Sequence, residues 1–453
     1  MASRRSTYLL ALPSPYYTFG GLSSDNLASS ASHLGLSSPK QAGLELLSLC
    51  LTLHQLGQQV LLFPPHERPY LPLLRQMGFA GSDKEVVGQC AREAPLLLPQ
   101  LCSSSAIWMA NSAICTSSVD AIDHKVHLSV ANKGSRFHRS IEASFSLSLF
   151  RLLLRHEESF VCHPPLPMGG QLFGDEGSAN LVRLCRHPEG AGIYLFGYGR
   201  SSLGVNSSLP SKWMARQTLE ASQAIARRHL LPPSCCYFAQ QLPRSIDSGV
   251  FHLDLVVMYE KDWLLVHQEA FLAIEPLLDE LKALFEQKLL APLKISLVSA
   301  AKVPLAQTLA SYVFNSLPVP VGEEGAIVLL APQQCQVQPA PHRLLAELLQ
   351  DASTPLSNVV YLELGQSMAN GGGPACLVLR LPLTSREQEL VHPNFVFNEM
   401  RYRSLKRIVE RYYRDALKLD QLNDPQLVSE SHEALDELSQ LFRLTSLYSF
   451  QKA

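Results

Sequence analysis

Short apolar runs alternate with longer segments of helical periodicity along the whole chain, and proline- or glycine-rich punctuation separates them. Tyr8 to Leu12 reads as a first strand, stopped by Pro13 and Pro15. Ser38-Pro39 has the form of an N-cap and a first-turn proline, opening a helix that closes at Gly57. Val60 to Phe63 is a strand ended by Pro64-Pro65, and Lys125 to Val130 alternates as a strand with one wet face, before a helix through Ile141 to Arg155. Phe251 to Tyr259 and Trp263 to Val266 form a strand pair around Glu260-Lys261-Asp262. Pro276 opens a helix with Leu277, Leu281, Leu284 and Phe285 on one side. Leu405, Ile408, Val409, Tyr412 and Ala416 share a later helical stripe, as do Leu435, Leu438 and Phe442.

No linker divides these elements; Ser201 to Pro210 is loop-like but short. The pattern therefore describes one α/β domain over residues 1–453, against a length that would allow two or three. A net charge of −2 gives no argument for nucleic acid or for an anionic membrane surface. Ten cysteines without a CxxC pair are the pattern of reduced thiols, not of a disulfide framework or a zinc site. Arg4-Arg5 looks like a twin-arginine signal, but the apolar stretch behind it is too short for export, and no segment is long enough to span a membrane. The expected location is the cytoplasm.

One of those cysteines stands apart. Cys376 ends the run Ser367-Met368-Ala369-Asn370-Gly371-Gly372-Gly373-Pro374-Ala375, ahead of a buried strand read over Leu377, Val378, Leu379 and Leu381. Three glycines and a proline make a turn whose bare backbone a ligand can approach. Met-Ala-Asn also occurs at 109–111, a weak sign of duplicated architecture. On the strand Phe251–Leu255, His252 and Asp254 would share one face, as a structural pair or as an acid/base beside a cation-binding carboxylate. Gly174-Asp175-Glu176-Gly177 is a simple turn, or else supplies a carboxylate that raises the basicity of His252 and fixes its tautomer. His138-Arg139 and Arg216 invite an anion, and His66-Glu67-Arg68 reads as a buried ion pair fixing a turn. Together these residues say thiol nucleophile, imidazole and several acids. Such a set suits a guanidinium better than a scissile amide.

The same segments resemble the succinylarginine dihydrolase family of the amidinotransferase-like, or pentein, superfamily. The likeness runs through Pro64–Pro69, Lys125–Leu128, Phe137–Arg139, Gly174–Gly177, Ala215–Thr218, Phe238–Gln241, Gly249–His252 and Met368–Cys376. It implies a five-bladed α/β propeller of ββαβ modules around a pseudo-fivefold axis. It implies Cys376 as nucleophile, His252 as acid/base and Glu176 as its partner. It places substrate contacts at Gly20, Gly21, Leu22, Ser23, Ser24, Asp25, Asn26, Leu27, Ala28 and Ser29, and at Asn111, His138, Arg139, Arg216, Asp254 and Asn370. The implied reaction takes N2-succinyl-L-arginine and two waters to N2-succinyl-L-ornithine, two ammonia and carbon dioxide. No metal or other cofactor is expected, and the implied assembly is a homodimer. The family's first strand usually carries an Asn-Phe-Asp-Gly-Leu-like stretch and then a Thr-His; here Tyr8–Leu12 and Tyr16-Tyr17 stand instead, leaving Asp25 as the candidate replacement for a lost acid. Three alternatives stay open: a hydrolase that stops at the ureido product, a cysteine amidase of another fold, and a binding protein that has lost catalysis.

Overall fold

The computed structural model describes residues 5–169, 172–204, 208–322 and 325–452. Among the described residues, fifteen strands form five separate three-stranded sheets. The strands are β1 (Thr7–Ala11), β2 (Gln59–Phe63), β3 (Ala113–Thr116), β4 (Val126–Val130), β5 (Phe160–His163), β6 (Leu181–Cys185), β7 (Gly192–Tyr198) and β8 (Cys236–Gln240). The remainder are β9 (Val257–Glu260), β10 (Trp263–His267), β11 (Lys294–Val298), β12 (Leu317–Val321), β13 (Ala326–Pro332), β14 (Leu356–Leu362) and β15 (Leu379–Leu381).

Every sheet is built the same way. A leading strand pairs antiparallel with a central strand, a helix follows, and a third strand returns parallel to the centre. The returning helices are Pro39–Gln55, Ala143–Leu153, Leu219–Arg228, Ile274–Leu289 and Pro339–Gln350. A parallel return needs such a crossover, which is why helical periodicity separates the apolar runs. In the first sheet the leading strand is β15, from the far end of the chain: Leu9 of β1 pairs with Leu379 on one side and Leu61 of β2 on the other. The result is the five ββαβ modules that the family resemblance implies.

Burial explains where the pattern misled. Every residue of β4 is buried, so the wet face expected over Lys125 to Val130 is absent; the small polar Ser129 binds His229 inside instead. The helix expected over Ile141 to Arg155 is present as Ala143–Leu153, and a separate short helix, Phe137–Ser140, precedes it. Ser38 caps the first long helix as expected, accepting from the Gln41 amide at 3.1 Å. The stripe Leu405, Ile408 and Val409 is buried on the helix Glu399–Tyr412, but Ala416 lies beyond its end. His66, Glu67 and Arg68 are buried without pairing among their side chains: Arg68 faces Glu142 at 3.6 Å, and Glu67 binds Ser449. Of the loop read at Ser201 to Pro210, residues 205–207 lie outside the described ones, as do residues 1–4 of the Arg4-Arg5 segment. No helix among the described residues is long and apolar enough to cross a membrane.

Candidate active site

Four leading strands are each preceded by a 3₁₀ turn: Met109–Asn111, Gly177–Asn180, Leu253–Leu255 and Val313–Asn315. In the first module the short helix Gly365–Ala369 and the glycine turn take that place. The five approaches converge because each uses an amide or an acid to reach a neighbour. Asn180 Oδ1 accepts from the Leu253 amide at 3.0 Å, and Asn315 Oδ1 accepts from the Cys376 amide at 3.2 Å. Asn111 Nδ2 donates to the Glu176 carbonyl at 3.2 Å. Both Met-Ala-Asn copies end at the same cavity, one through Asn111 and the other through Asn370.

That cavity, about 50 Å³, holds Cys376, His252, Asn111, His138, Arg139, Arg216 and Asn370 in its wall, with Gly20, Gly21, Leu22, Ser23, Asn26 and Ser29 of the N-terminal loop. Ser24 and Leu27 are exposed, and Ala28 does not reach the wall. His252 and Asp254 do not share the face of a strand. His252 is extended backbone entering the turn Leu253–Leu255, and β9 begins only at Val257, because the turn is what brings Leu253 to Asn180. The strand after the thiol is likewise only Leu379–Leu381. The glycine turn is less open than expected: Cβ atoms on Gly371 and Gly372 would lie 2.1 Å from Asn26 Oδ1 and 2.2 Å from the Trp108 ring. Protein side chains already use most of that bare backbone.

Glu176 is fully buried and accepts from His252 Nε2 at 3.0 Å, from Ser135 at 2.8 Å and from Arg139; Arg216 lies 3.8 Å away. Burial alone would raise its pKa, but Arg139, His252 and Arg216 outweigh it and hold the carboxylate well below its ordinary range. The bond fixes the His252 proton on Nε2 and leaves Nδ1, 3.4 Å from Asn111 Nδ2, as the basic nitrogen. Glu176 acts to raise the imidazole's basicity, as expected, but that effect is outweighed. Burial, with Arg216 and Arg139 nearby, brings His252 down to about 4 despite Glu176.

Cys376 donates to Asp254 Oδ2 at 3.6 Å. Burial first, and then the Asp254 charge, push the thiol well above its usual value. Burial also lifts Asp254 to about 7, and its Oδ1 is enclosed with no hydrogen-bond partner. Burial thus favours a neutral thiol beside an acid of raised pKa.

Asp25 does not face the cavity. It takes Arg216 through two bonds, 2.7 and 2.8 Å, and Arg136 at 3.1 Å. Those arginines, against the opposing effect of burial, lower its pKa. Its work is to lock the N-terminal loop onto Arg216. Asn26 ties the same loop to the glycine turn, donating to the Gly371 carbonyl at 3.0 Å. Ser103, Ser104, Ser105, Trp108 and Phe251 also line the cavity, and Asn315 holds the nucleophile's backbone. Sequence reading missed these six. Ser-Ser-Ser ahead of Trp108 was the available signal, whereas nothing local marks Asn315.

A buried thiol, a carboxylate against it and an imidazole on a second buried carboxylate, carried by five ββαβ modules, define a pentein-fold hydrolase acting on amidino C–N bonds. The model of one family, AstB, succinylarginine dihydrolase, matches residues 11–451, and the chain belongs to that family. It is 40% identical over 442 residues to the N-succinylarginine dihydrolase of Hahella chejuensis (strain KCTC 2396), covering 98% of each chain. Among solved structures, the N-terminal domain of ArgZ bound to product, an arginine dihydrolase from the ornithine-ammonia cycle in cyanobacteria, is similar in fold. It has a TM-score of 0.50 and 16% identity, with 83% of this chain and 97% of that one covered.

Proposed function

We propose that this chain hydrolyses N2-succinyl-L-arginine with two waters to N2-succinyl-L-ornithine, two ammonia and carbon dioxide, in arginine catabolism by the succinyltransferase route. The observation that carries the reading is Asp254, whose Oδ2 meets the thiol while Oδ1 has no partner. An enclosed carboxylate oxygen left unpaired costs ~1–3 kcal/mol, which a guanidinium N–H removes. The bound cation would keep Asp254 ionised and offset the charge that opposes the thiolate.

The thiol proton passes to His252 Nδ1 as sulfur attacks the guanidinium carbon, and the imidazolium returns it to the departing ammonia. His252 then takes a proton from water, which adds to the amidino-thioether; collapse releases the ureido compound and the thiol. A second attack on the retained ureido carbon expels the second ammonia. A second water gives a carbamate, which splits into succinylornithine and carbon dioxide. Glu176 steadies the imidazolium. Arg139, Arg216, His138, Asn111, Asn370 and the 20–29 loop hold the rest of the substrate, with Asp25 acting through Arg216. The same reading takes residues 1–453 as one domain, working in the cytoplasm as a homodimer. No step calls for a cofactor.

The test is to count ammonia per succinylornithine formed. The expected values are two for the wild type and none for Cys376→Ser. Succinylcitrulline accumulating as the sole product would refute the two-cycle reading in favour of a hydrolase that stops after one.

A further inference from the structure

Behind the nucleophile, on the side away from the substrate cavity, lies a larger cavity of about 170 Å³. Its wall takes residues from the leading strands of all five modules, so it lies between them, where the modules meet. Each of those strands starts at the site and runs away from it. The wall accordingly begins at Ala110, Asp254 and Ala375 and ends at Arg5, Pro188 and Lys261. Arg5 is exposed and Lys261 half-buried, so the far end reaches solvent.

Cys376 lines the front cavity alone, and Asp254 lines the rear one alone. Their 3.6 Å contact is the partition, flanked by the small side chains of Ala110 and Ala375. The front has little room to spare. Its loop is pinned by Asn26 on Gly371 and by Asp25 on Arg216, and its volume is only about 50 Å³. The reaction proposed above nevertheless needs two waters in and two ammonia molecules out while the ureido intermediate stays bound.

We infer that the rear cavity is the port for water and neutral ammonia, with the Asp254 carboxylate as its inner gate. Rotation about the side-chain bond carries Oδ1 between the guanidinium in front and water behind. The wall is apolar at Val182, Val257, Leu317 and Val378, and its charged Arg183, Glu260 and Arg380 are engaged in ion pairs, Arg380 with Glu260 at 3.0 Å and Arg183 with Asp120 at 2.7 Å, which leaves a passage suited to small neutral molecules. This inference rests on the two-cycle reading, and its test is kept separable from it.

In a high-resolution crystal structure of the wild type, a file of ordered waters is expected between the Lys261 rim and Asp254; a dry cavity overturns the port. Val182→Phe and Val257→Phe, each filling the middle of the cavity, should slow hydrolysis of the Cys376 adduct by ~10-fold, equivalent to about 1.4 kcal/mol, with KM for succinylarginine unchanged. Rapid-quench mass spectrometry then finds adduct accumulating. Adduct turnover at the wild-type rate in a variant whose crystal structure shows the cavity filled also overturns it. Absence of ammonia release by the wild type would instead strike the function reading and leave the hydration result standing.

Discussion

Gly371 sits at φ +88°, and a Cβ there would lie 2.1 Å from Asn26 Oδ1 and 2.2 Å from its Nδ2. Gly371→Ala therefore has two separable costs. An L-residue in the left-handed region loses ~1–2 kcal/mol. Asn26 must also swing away, giving up its cap on the Ser29 amide (3.2 Å) and its donation to the Gly371 carbonyl (3.0 Å), at ~1 kcal/mol each. The sum is ~3–4 kcal/mol in the wild-type background. With Asn26→Ala already in place the clash and both bonds are gone, so the same change costs only the backbone term, ~1–2 kcal/mol. Urea unfolding of the four proteins gives the coupling directly, expected at ~2 kcal/mol. Hydrogen exchange over residues 20–32 should rise in Gly371→Ala and in Asn26→Ala alike, with a higher KM in both. Equal costs of Gly371→Ala in the two backgrounds would refute the claim that the substrate loop docks through this pair.

Asp254→Asn removes the charge that opposes thiolate formation, so alkylation of Cys376 by iodoacetamide should begin at lower pH while succinylarginine turnover falls ~100-fold or more; an unmoved alkylation profile counts against the electrostatic account. Burial raises Asp175 to about 7, and its Oδ2 has no partner. A raised acid binds its proton in the folded state between about 4 and 7, so the wild type loses stability as pH rises through that window. Asp175→Asn should consequently gain stability relative to wild type at pH 8, by roughly 4 kcal/mol at most, and gain nothing at pH 5; urea midpoints at the two pH values decide. Asn315→Ala leaves the Cys376 amide without its acceptor, costing ~1–3 kcal/mol and lowering kcat with KM little changed; an unaltered kcat would show that the nucleophile needs no such support.

The strands and helices of each module were legible because a central strand buried on both faces and an amphipathic crossover helix write different periods into the sequence. Cys376 was legible because Gly-Gly-Gly-Pro allows so few conformations. The 3₁₀ turns were not. Residues 253–255 read as strand because Leu253 and Leu255 alternate with Asp254, and only the distant Asn180 makes a turn the better solution. Asn315 escaped for the same reason: its partner lies 61 residues away. The fall of His252 to about 4 could not be read either, since it depends on how deeply the ring is buried and on which arginines share Glu176. The altered first strand turned out to be plain packing: Tyr8 and Tyr17 are buried, and Tyr17 donates to the Gln366 carbonyl at 2.8 Å.

The ring closes by handing its last strand to its first, and that has a consequence for synthesis. Until residues 379–381 leave the ribosome, β1, buried along its whole length in the finished protein, presents an open apolar edge. Cys376 arrives with the same few residues that cover it. A nascent chain is therefore at once inert and sticky, and the event that silences the aggregation hazard also switches on the chemistry. Frameshifts or stops ahead of residue 376 should yield insoluble chains, not feeble hydrolases.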